Sequence, residues 1–473
     1  MSAAPPPPLW QASAAALQQA FADGTATPLQ ALDSCLQRIA EVQPQLNAFV
    51  ALRADAARDE ARASTQRHAA GRALSPLDGV PVSIKDNLLT SDMPTTWGTR
   101  ALRQHQPGHE ELAVTRLRAA GAIIVGKTNV PEFTLEGYTD NPLFGVTRNP
   151  WNPALTPGGS SGGAAASLAA GCTPLALGTD GGGSIRRPAA HCGVLGLKPT
   201  LGTIARTHGL PTLLLDYEVV GLMARTVADL RLLLAVVEGP DIGDMSSWAA
   251  QALRARADGA HAPLRMLYAA TLDAAPVDPG IAAACARAVR QGCAEHGHRL
   301  EHGALPLDLQ ALNQGWPRVA QMGLAQMFDA HPEWGAQSSE KYRAMARQGM
   351  ERGAAELWQL LDTTAQLRRD CAQMFTQWDV VAMPCTAAQP WPAREAYPAE
   401  IDGRAVGPRG HAVFTGWVNA AGLPAISVPV GFDANGLPIG LQLVARPGAE
   451  PLLLQLAQQL QPRPGGAPAG PPL

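Results

Sequence analysis

From about Gly79 onward, short apolar runs, glycine-bearing turns and helical patterns follow one another, and this alternation restricts the fold more than any other feature of the chain. Gly79-Val-Pro-Val-Ser-Ile84 predicts a short strand, residues 110–120 an amphipathic helix, and residues 122–125 a buried strand. Residues 161–170 then predict a helix of small residues, 174–177 a strand and 226–237 another helix, with a triple glycine leading from the strand into Ser184-Ile-Arg-Arg187. Such a chain builds a sheet with helices laid over it, an α/β fold whose sites lie in loops beyond the strand ends.

The flanks extend this pattern. Helical periodicity opens at residues 14–22 and resumes after Thr27-Pro28, where a threonine N-cap precedes a proline at the first helical position. A third helix spans 54–70 and stops at Gly71. Residues 260–378 read as mainly helical, either an insertion on the substrate side of the sheet domain or a separate lobe, and 379–384 return as a strand. Strands at 425–432 and 437–445 flank Asp433-Ala-Asn-Gly436, a hairpin signal because Asn-Gly tolerates positive φ, and 451–460 form a last helix. The expected division is a disordered terminus over 1–10, one α/β domain over 11–460 and a disordered Pro/Gly-rich tail over 461–473.

Composition removes several function classes. The 37 Lys and Arg against 40 Asp and Glu give a net charge of -3, without the basic excess that a phosphate backbone demands, so nucleic acid is not an expected partner. Nothing approaches the roughly 20 apolar residues of a membrane span, and Met1 to Pro8 lacks the positive n-region of a secretory signal. The seven cysteines are scattered and never form C-x-x-C, which fits reduced thiols in a cytoplasmic protein and no thiolate metal site. His296, His298 and His302 have no carboxylate or cysteine partner at ligand spacing, and no metal is expected.

Three segments carry chemistry. Thr156-Pro-Gly-Gly-Ser160-Ser161-Gly-Gly packs glycines and hydroxyls into a loop that opens a helix; a linker would not sit between apolar strand and helix patterns. Leu177-Gly-Thr179-Asp180-Gly181-Gly182-Gly183-Ser184 places three successive glycine amides beside a serine hydroxyl, the requirement of an oxyanion hole. Leu77-Asp-Gly-Val-Pro-Val-Ser-Ile-Lys85 ends a buried strand on a lysine, which is ordinarily a residue reaching for water. As a base it needs desolvation or neighbouring charge to bring its pKa down from about 10.4. Ser-Lys arrangements are a known alternative to Ser-His-Asp.

Together these segments closely resemble the amidase signature family, from about Gly79 to Thr200, with further similar pieces toward the C-terminus. Supporting matches are Gly126-Lys-Thr-Asn-Val-Pro131, Asn141-Pro-Leu-Phe-Gly145, Asn149-Pro-Trp151 and Gly196-Leu-Lys-Pro199. The resemblance implies one large α/β domain, a central mixed twisted β-sheet covered by helices on both faces. It also implies a Ser-cisSer-Lys triad: Ser184 as nucleophile, Ser160 with a cis peptide as relay, and Lys85 as neutral base. The amides of Gly181, Gly182, Gly183 and Ser184 would form the oxyanion hole. Thr134, Leu135 and Gly137 would approach the acyl side of the pocket with Tyr138 close by, Thr179 and Asp180 would buttress the nucleophile loop, and Arg186 would order it. The implied reaction is hydrolysis of amide C–N bonds through an acyl-enzyme, with carbamates and esters as further substrates, water as co-substrate and no cofactor; a homodimer stays open.

Two rivals remain. Gly121-Ala-Ile-Ile-Val-Gly126-Lys127-Thr128 satisfies the P-loop pattern, yet its β-branched run favours a buried strand over a phosphate cradle. Within the family, the A subunit of a tRNA-dependent amidotransferase is the alternative. The stretch Val130-Pro-Glu-Phe-Thr-Leu-Glu-Gly137 departs from the Met-Asp-Glu-Phe-Ala-Met-Gly-Ser type usual there, which favours a free hydrolase. Trp316, Met322, Met327, Phe328 and Trp334 offer apolar surface for a medium-sized apolar or aryl substrate, and charged substrates are expected to be less favoured.

Overall fold

The computed structural model describes residues 7–255, 263–461 and 470–472. Its frame is a sheet of eleven strands: β1 (Phe49–Leu52), β2 (Pro81–Lys85), β3 (Ile123–Thr128), β4 (Leu175–Asp180), β5 (Leu195–Lys198), β6 (Val219–Ala224), β7 (Arg265–Tyr268), β8 (Arg299–His302), β9 (Val380–Pro384), and the pair β12 (Ala425–Phe432) and β13 (Pro438–Ala445). A separate small ribbon is formed by β10 (Glu400–Ile401) and β11 (Arg404–Ala405). The order across the sheet is β1-β3-β2-β4-β6-β5-β12-β13-β9-β7-β8. β2 runs parallel to β3 and β4, and β7 to β8 and β9, while β4–β6, β5–β6, β5–β12, β12–β13 and β9–β13 are antiparallel. The expected mixed α/β sheet is therefore present.

Successive residues of a strand face opposite sides, so a sheet covered on both faces needs apolar residues at every position. The central strands show this. Leu175 and Leu177 join a core with the helices Ala14–Ala22, Val227–Val237 and Glu450–Leu460, while Ala176 between them packs with Ile185, Ala189 and Leu168 on the other side. Val381 and Met383 likewise face a core with Trp316, Phe414 and Trp417, opposite to Val380 and Ala382.

Local signals act as anticipated at Thr27, whose hydroxyl accepts from the Gln30 amide at 3.2 Å while the Gln30 side chain accepts from the Thr27 amide at 2.9 Å. In the β12–β13 connection only Gly436 takes a positive φ, 75°; Asp433 Oδ1 accepts from the amides of Asn435 and Leu437 and fixes the turn instead of a left-handed Asn435. Two expectations change. Leu9–Gln11 forms a 3-10 turn, so order begins inside the terminus assigned to 1–10; residues 1–6 and 462–469 lie outside the described residues. The stretch 260–378 supplies β7 and β8 to the sheet edge, and both four-residue strands are too short to carry a periodic signal; of its helices, Gln310–Ala330 and Glu340–Met350 contribute residues to the cavity at the site. Ile123–Thr128 of the P-loop match is a wholly buried strand, and Lys127 Nζ donates to Leu88 O and Thr95 Oγ1, both at 2.7 Å, beside Asp86 at 3.5 Å. That lysine is consumed internally and has no phosphate to meet.

Candidate active site

β2 and β4 are parallel neighbours, which brings Lys85 at the end of one beside Thr179 at the end of the other. Lys85 is fully buried. Its Nζ lies 2.8 Å from Ser160 Oγ, 2.9 Å from Thr179 Oγ1 and 3.1 Å from Thr179 O, while Asn87 Nδ2 donates to Thr179 Oγ1 at 3.0 Å. Burial lowers the Lys85 pKa to about 7, against the raising effect of Glu218 and Asp180; Arg206 and Arg187 add to the fall. The sequence demanded a desolvating environment for this lysine, and the closed strand ends supply it.

Ser160 meets Lys85 through its hydroxyl, and its Gly159–Ser160 peptide is cis. The two loops meet through the Ser161 amide, which donates to the Ser184 carbonyl at 3.1 Å. Gly159 has no room for a side chain, because the main chain of Tyr138 occupies that space; Tyr138 thus supports the serine loop without lining the cavity.

The Ser184 loop is fixed from below by Asp180. Its carboxylate accepts from the amides of Gly183 at 2.7 Å and Ile185 at 3.0 Å, and from Arg186 Nε at 3.0 Å and Nη2 at 2.9 Å. Burial alone raises a carboxyl pKa, but the Arg186 guanidinium outweighs it and holds Asp180 far below the usual range. Arg186 also donates to Gln442 Oε1 at 2.6 Å, Asn419 Oδ1 at 2.5 Å and Thr415 O at 3.2 Å, which ties the loop to β13 and to the helix Gly416–Ala420. One expectation is corrected: the Gly183 amide is committed to Asp180 and is not free for an oxyanion. Gly181, Gly182 and Ser184 keep amides that donate to no acceptor among the described residues. Gly183 itself has φ 111°, and a side chain there would collide with Thr415 Oγ1, which donates to Gly182 O at 2.8 Å.

Ser184 opens into a cavity of about 560 Å³. Thr134, Leu135 and Gly137 line it, with Trp97 Nε1 donating to Thr134 Oγ1 at 3.1 Å. Of the five apolar residues expected in the pocket, only Trp316 lines it, packed over Gly182. Met327, Phe328 and Trp334 belong to a core around Phe133 and Tyr342, and Met322 packs against the core that contains Trp316. The sequence reading missed Arg187, Arg409 and His411, which line the cavity together with the ion pair Lys341–Glu136 at 2.5 Å. This corrects the expectation of an apolar wall that would disfavour charged substrates.

The amidase family model matches residues 30–454. The chain belongs to the amidase family. Among curated amidase relatives, the glutamyl-tRNA(Gln) amidotransferase A subunit of Synechococcus sp. (strain CC9605) is 38% identical over 94% of this chain and 95% of that protein. Its counterpart in Roseiflexus castenholzii (strain DSM 13941 / HLO8) is 38% identical over 96% of both chains. Among solved amidase structures, a 6-aminohexanoate cyclic dimer hydrolase complexed with substrate superposes with a TM-score of 0.83 at 29% identity, covering 96% of both chains. A bacterial aryl acylamidase of the amidase signature family does so with a TM-score of 0.84 at 26% identity, covering 97% of this chain and all of that one. No helix among the described residues of this amidase is long and apolar enough to cross a membrane.

Proposed function

We propose that this amidase is a free hydrolase of amide C–N bonds that uses Ser184 as nucleophile, Ser160 as proton relay and Lys85 as base. The observation that carries the reading is the surroundings of Lys85: fully buried, bonded only to neutral oxygens and brought to about 7, it is available as a neutral amine near pH 7. A neutral amine has two N–H groups and one lone pair. Thr179 O and Oγ1 accept the two protons, and the lone pair is left for the Ser160 hydroxyl. Ser160 then accepts the proton of Ser184 as Ser184 Oγ attacks the carbonyl carbon. The tetrahedral oxyanion takes hydrogen bonds from the amides of Gly181, Gly182 and Ser184, each donor contributing about 3 kcal/mol in the transition state. Collapse breaks the C–N bond, the leaving amine takes the relayed proton, and water releases the acid by the reverse route.

A cavity of about 560 Å³ suits a medium-sized substrate, and the Trp316 face suits an aryl or alkyl portion. Carbamates and esters present the same electrophilic carbonyl and are included as substrates. The test is hydrolysis of aryl amides, aliphatic amides, esters and carbamates by the purified chain, with the Ser184→Ala chain as control. Turnover by the wild type and a loss of at least about 10³-fold in Ser184→Ala are expected; near-normal turnover by Ser184→Ala would end the proposal.

The 38% identity to amidotransferase A subunits supports a second reading, in which the chain delivers ammonia within a tRNA-dependent assembly. Ammonia transfer to a misacylated tRNA in the presence of a companion subunit, with no hydrolysis of simple amides by the chain alone, would establish that reading over the free hydrolase.

A further inference from the structure

Three side chains in the wall of the cavity hold polar atoms that the protein leaves unused. Arg187 is 7% exposed, its Nε has no acceptor, and the one hydrogen bond of its guanidinium is Nη2 to Gly159 O at a long 3.4 Å. The Arg409 side chain makes neither a hydrogen bond nor an ion pair with any described residue; its guanidinium carbon lies over the Trp316 ring, 4.4 Å from the centroid. His411 is 2% exposed and both of its ring nitrogens lack a partner. All three line the cavity with Ser184.

Charge in that wall does not balance. Lys341 and Glu136 neutralise each other at 2.5 Å, and the Tyr342 hydroxyl also reaches Glu136, at 3.3 Å. Arg187 and Arg409 form no ion pair with a carboxylate among the described residues, and Asp180 and Glu136 act on Arg187 only from a distance. Burial brings Arg187 to about 10 and Arg409 to about 9, the latter also through repulsion by Arg187, so both stay charged near neutrality. Burial first, then Arg187, His191 and Arg409, push His411 far below its ordinary range, so it is a neutral imidazole with one N–H to donate. Two desolvated guanidiniums held near each other without a counter-ion cost free energy that an anion inside the cavity would return.

We infer that the cavity carries a carboxylate subsite formed by Arg187, Arg409 and His411, and that the substrate is an amide bearing a second, anionic carboxylate group. This rests on the hydrolase reading for the fate of the amide but not for the binding of the anion. Guanidinium donors match a carboxylate in planar, charge-assisted pairs. The Trp316 face beside Arg409 would pack the carbon chain or ring between the carboxylate and the amide. The carboxylate belongs either to the acyl portion, as in the half-amide of a dicarboxylic acid, or to the amine portion, as in an N-acylated amino acid.

Calorimetric titration of the full chain carrying Ser184→Ala, which retains the cavity, tests the subsite without turnover. The probes are two matched pairs in which an isopropyl group replaces the carboxylate: glutaric acid monoamide with 5-methylhexanamide, and N-acetyl-β-alanine with N-isopentylacetamide. The carboxylate member of at least one pair is expected to bind about tenfold or more tightly than its isostere, and the pair that shows it identifies which side of the amide bears the charge. Adding Arg187→Met or Arg409→Met is expected to remove most of that ratio. Arg409 lies in an irregular segment, so its variant keeps the test sound if Arg187→Met disturbs folding. No carboxylate preference in either pair, undetectable binding of both carboxylates at millimolar concentration, or a preference that survives both arginine variants would overturn the inference. Hydrolysis lost in Ser184→Ala without a carboxylate preference would leave the hydrolase reading standing and the subsite rejected.

Discussion

Arg186 and Arg187 are consecutive, both are buried, and they open the same short helix, Arg186–Cys192, yet the floor under the Ser184 loop and the cavity wall in front of it treat them in opposite ways. Successive residues of a helix point about 100° apart, so one guanidinium turns inward and the other toward the cavity. Inward, Arg186 meets Asp180, Gln442, Asn419 and the Thr415 carbonyl. On the cavity side, the Arg187 guanidinium meets one distant carbonyl, with Asp180 and Glu136 attracting it only from beyond ion-pair distance and Arg186 repelling it. The strand-end lysines repeat the contrast: Lys127 sits 3.5 Å from Asp86, whereas Lys85 touches only hydroxyl and carbonyl oxygens. A paired buried charge fixes the backbone, while an unpaired one is held ready for a proton or a ligand.

The contrast is broken most severely at the lysines. Lys85→Ala is expected to lower kcat/KM by about 10²–10⁴-fold, the range for losing a positioned base, while the chain stays folded. Only the neutral amine accepts a proton, so below its pKa the base is occupied. The wild-type kcat/KM for an uncharged amide should therefore rise with pH through about 7. A profile that stays flat from roughly pH 5 to 8, the span a group titrating near neutrality must cross, would reassign the base.

Next in size is Arg186→Met. It leaves the Asp180 carboxylate buried without its counter-ion, at a cost of about 3–5 kcal/mol in unfolding free energy. Activity should fall with it, since Asp180 holds the amides of Gly183 and Ile185 that set the loop around Ser184. Denaturant unfolding of the variant beside the wild type measures the loss, and a change below about 1 kcal/mol would show that the pair is not what supports the loop.

What the sequence disclosed, and what it withheld, follows from the range of the forces involved. Lys85, Ser160 and Ser184 stand at the ends of apolar runs next to glycine turns, and turn chemistry is local, so their segments were recognisable one by one. β5 and β6 were missed because they are buried on both faces and show no alternation to read. Arg409 and His411 arrive from a loop more than 220 residues beyond Ser184, and no periodicity links Gly407–Ala412 to the cavity. The Gly183 amide looked free in a run of three glycines; only the folded loop shows the Asp180 carboxylate folding back onto it. Arg187 was overlooked for a related reason, since a sequence shows two adjacent arginines and not which of them finds a carboxylate.

The smallest expected effect sharpens the comparison furthest. Arg187→Met removes a desolvated charge whose protein hydrogen bonding is limited to Gly159 O, and its unbranched side chain can occupy much of the same volume. Unfolding free energy should therefore change by less than about 1 kcal/mol or increase slightly, in contrast to Arg186→Met one residue earlier. The variant also relieves Lys85 of one of the cations that lower its pKa, so the ammonium form becomes easier to keep. The acid limb of kcat/KM should then move to higher pH than in the wild type; loosening the site would rehydrate Lys85 and move it the same way, so the unchanged unfolding free energy is what separates the two. Measuring the pH profile with an uncharged amide keeps any carboxylate binding out of the result. If Arg187→Met destabilised the chain as severely as Arg186→Met, the two arginines would share a structural role and the cavity wall would lose its claim to a charge held for a ligand.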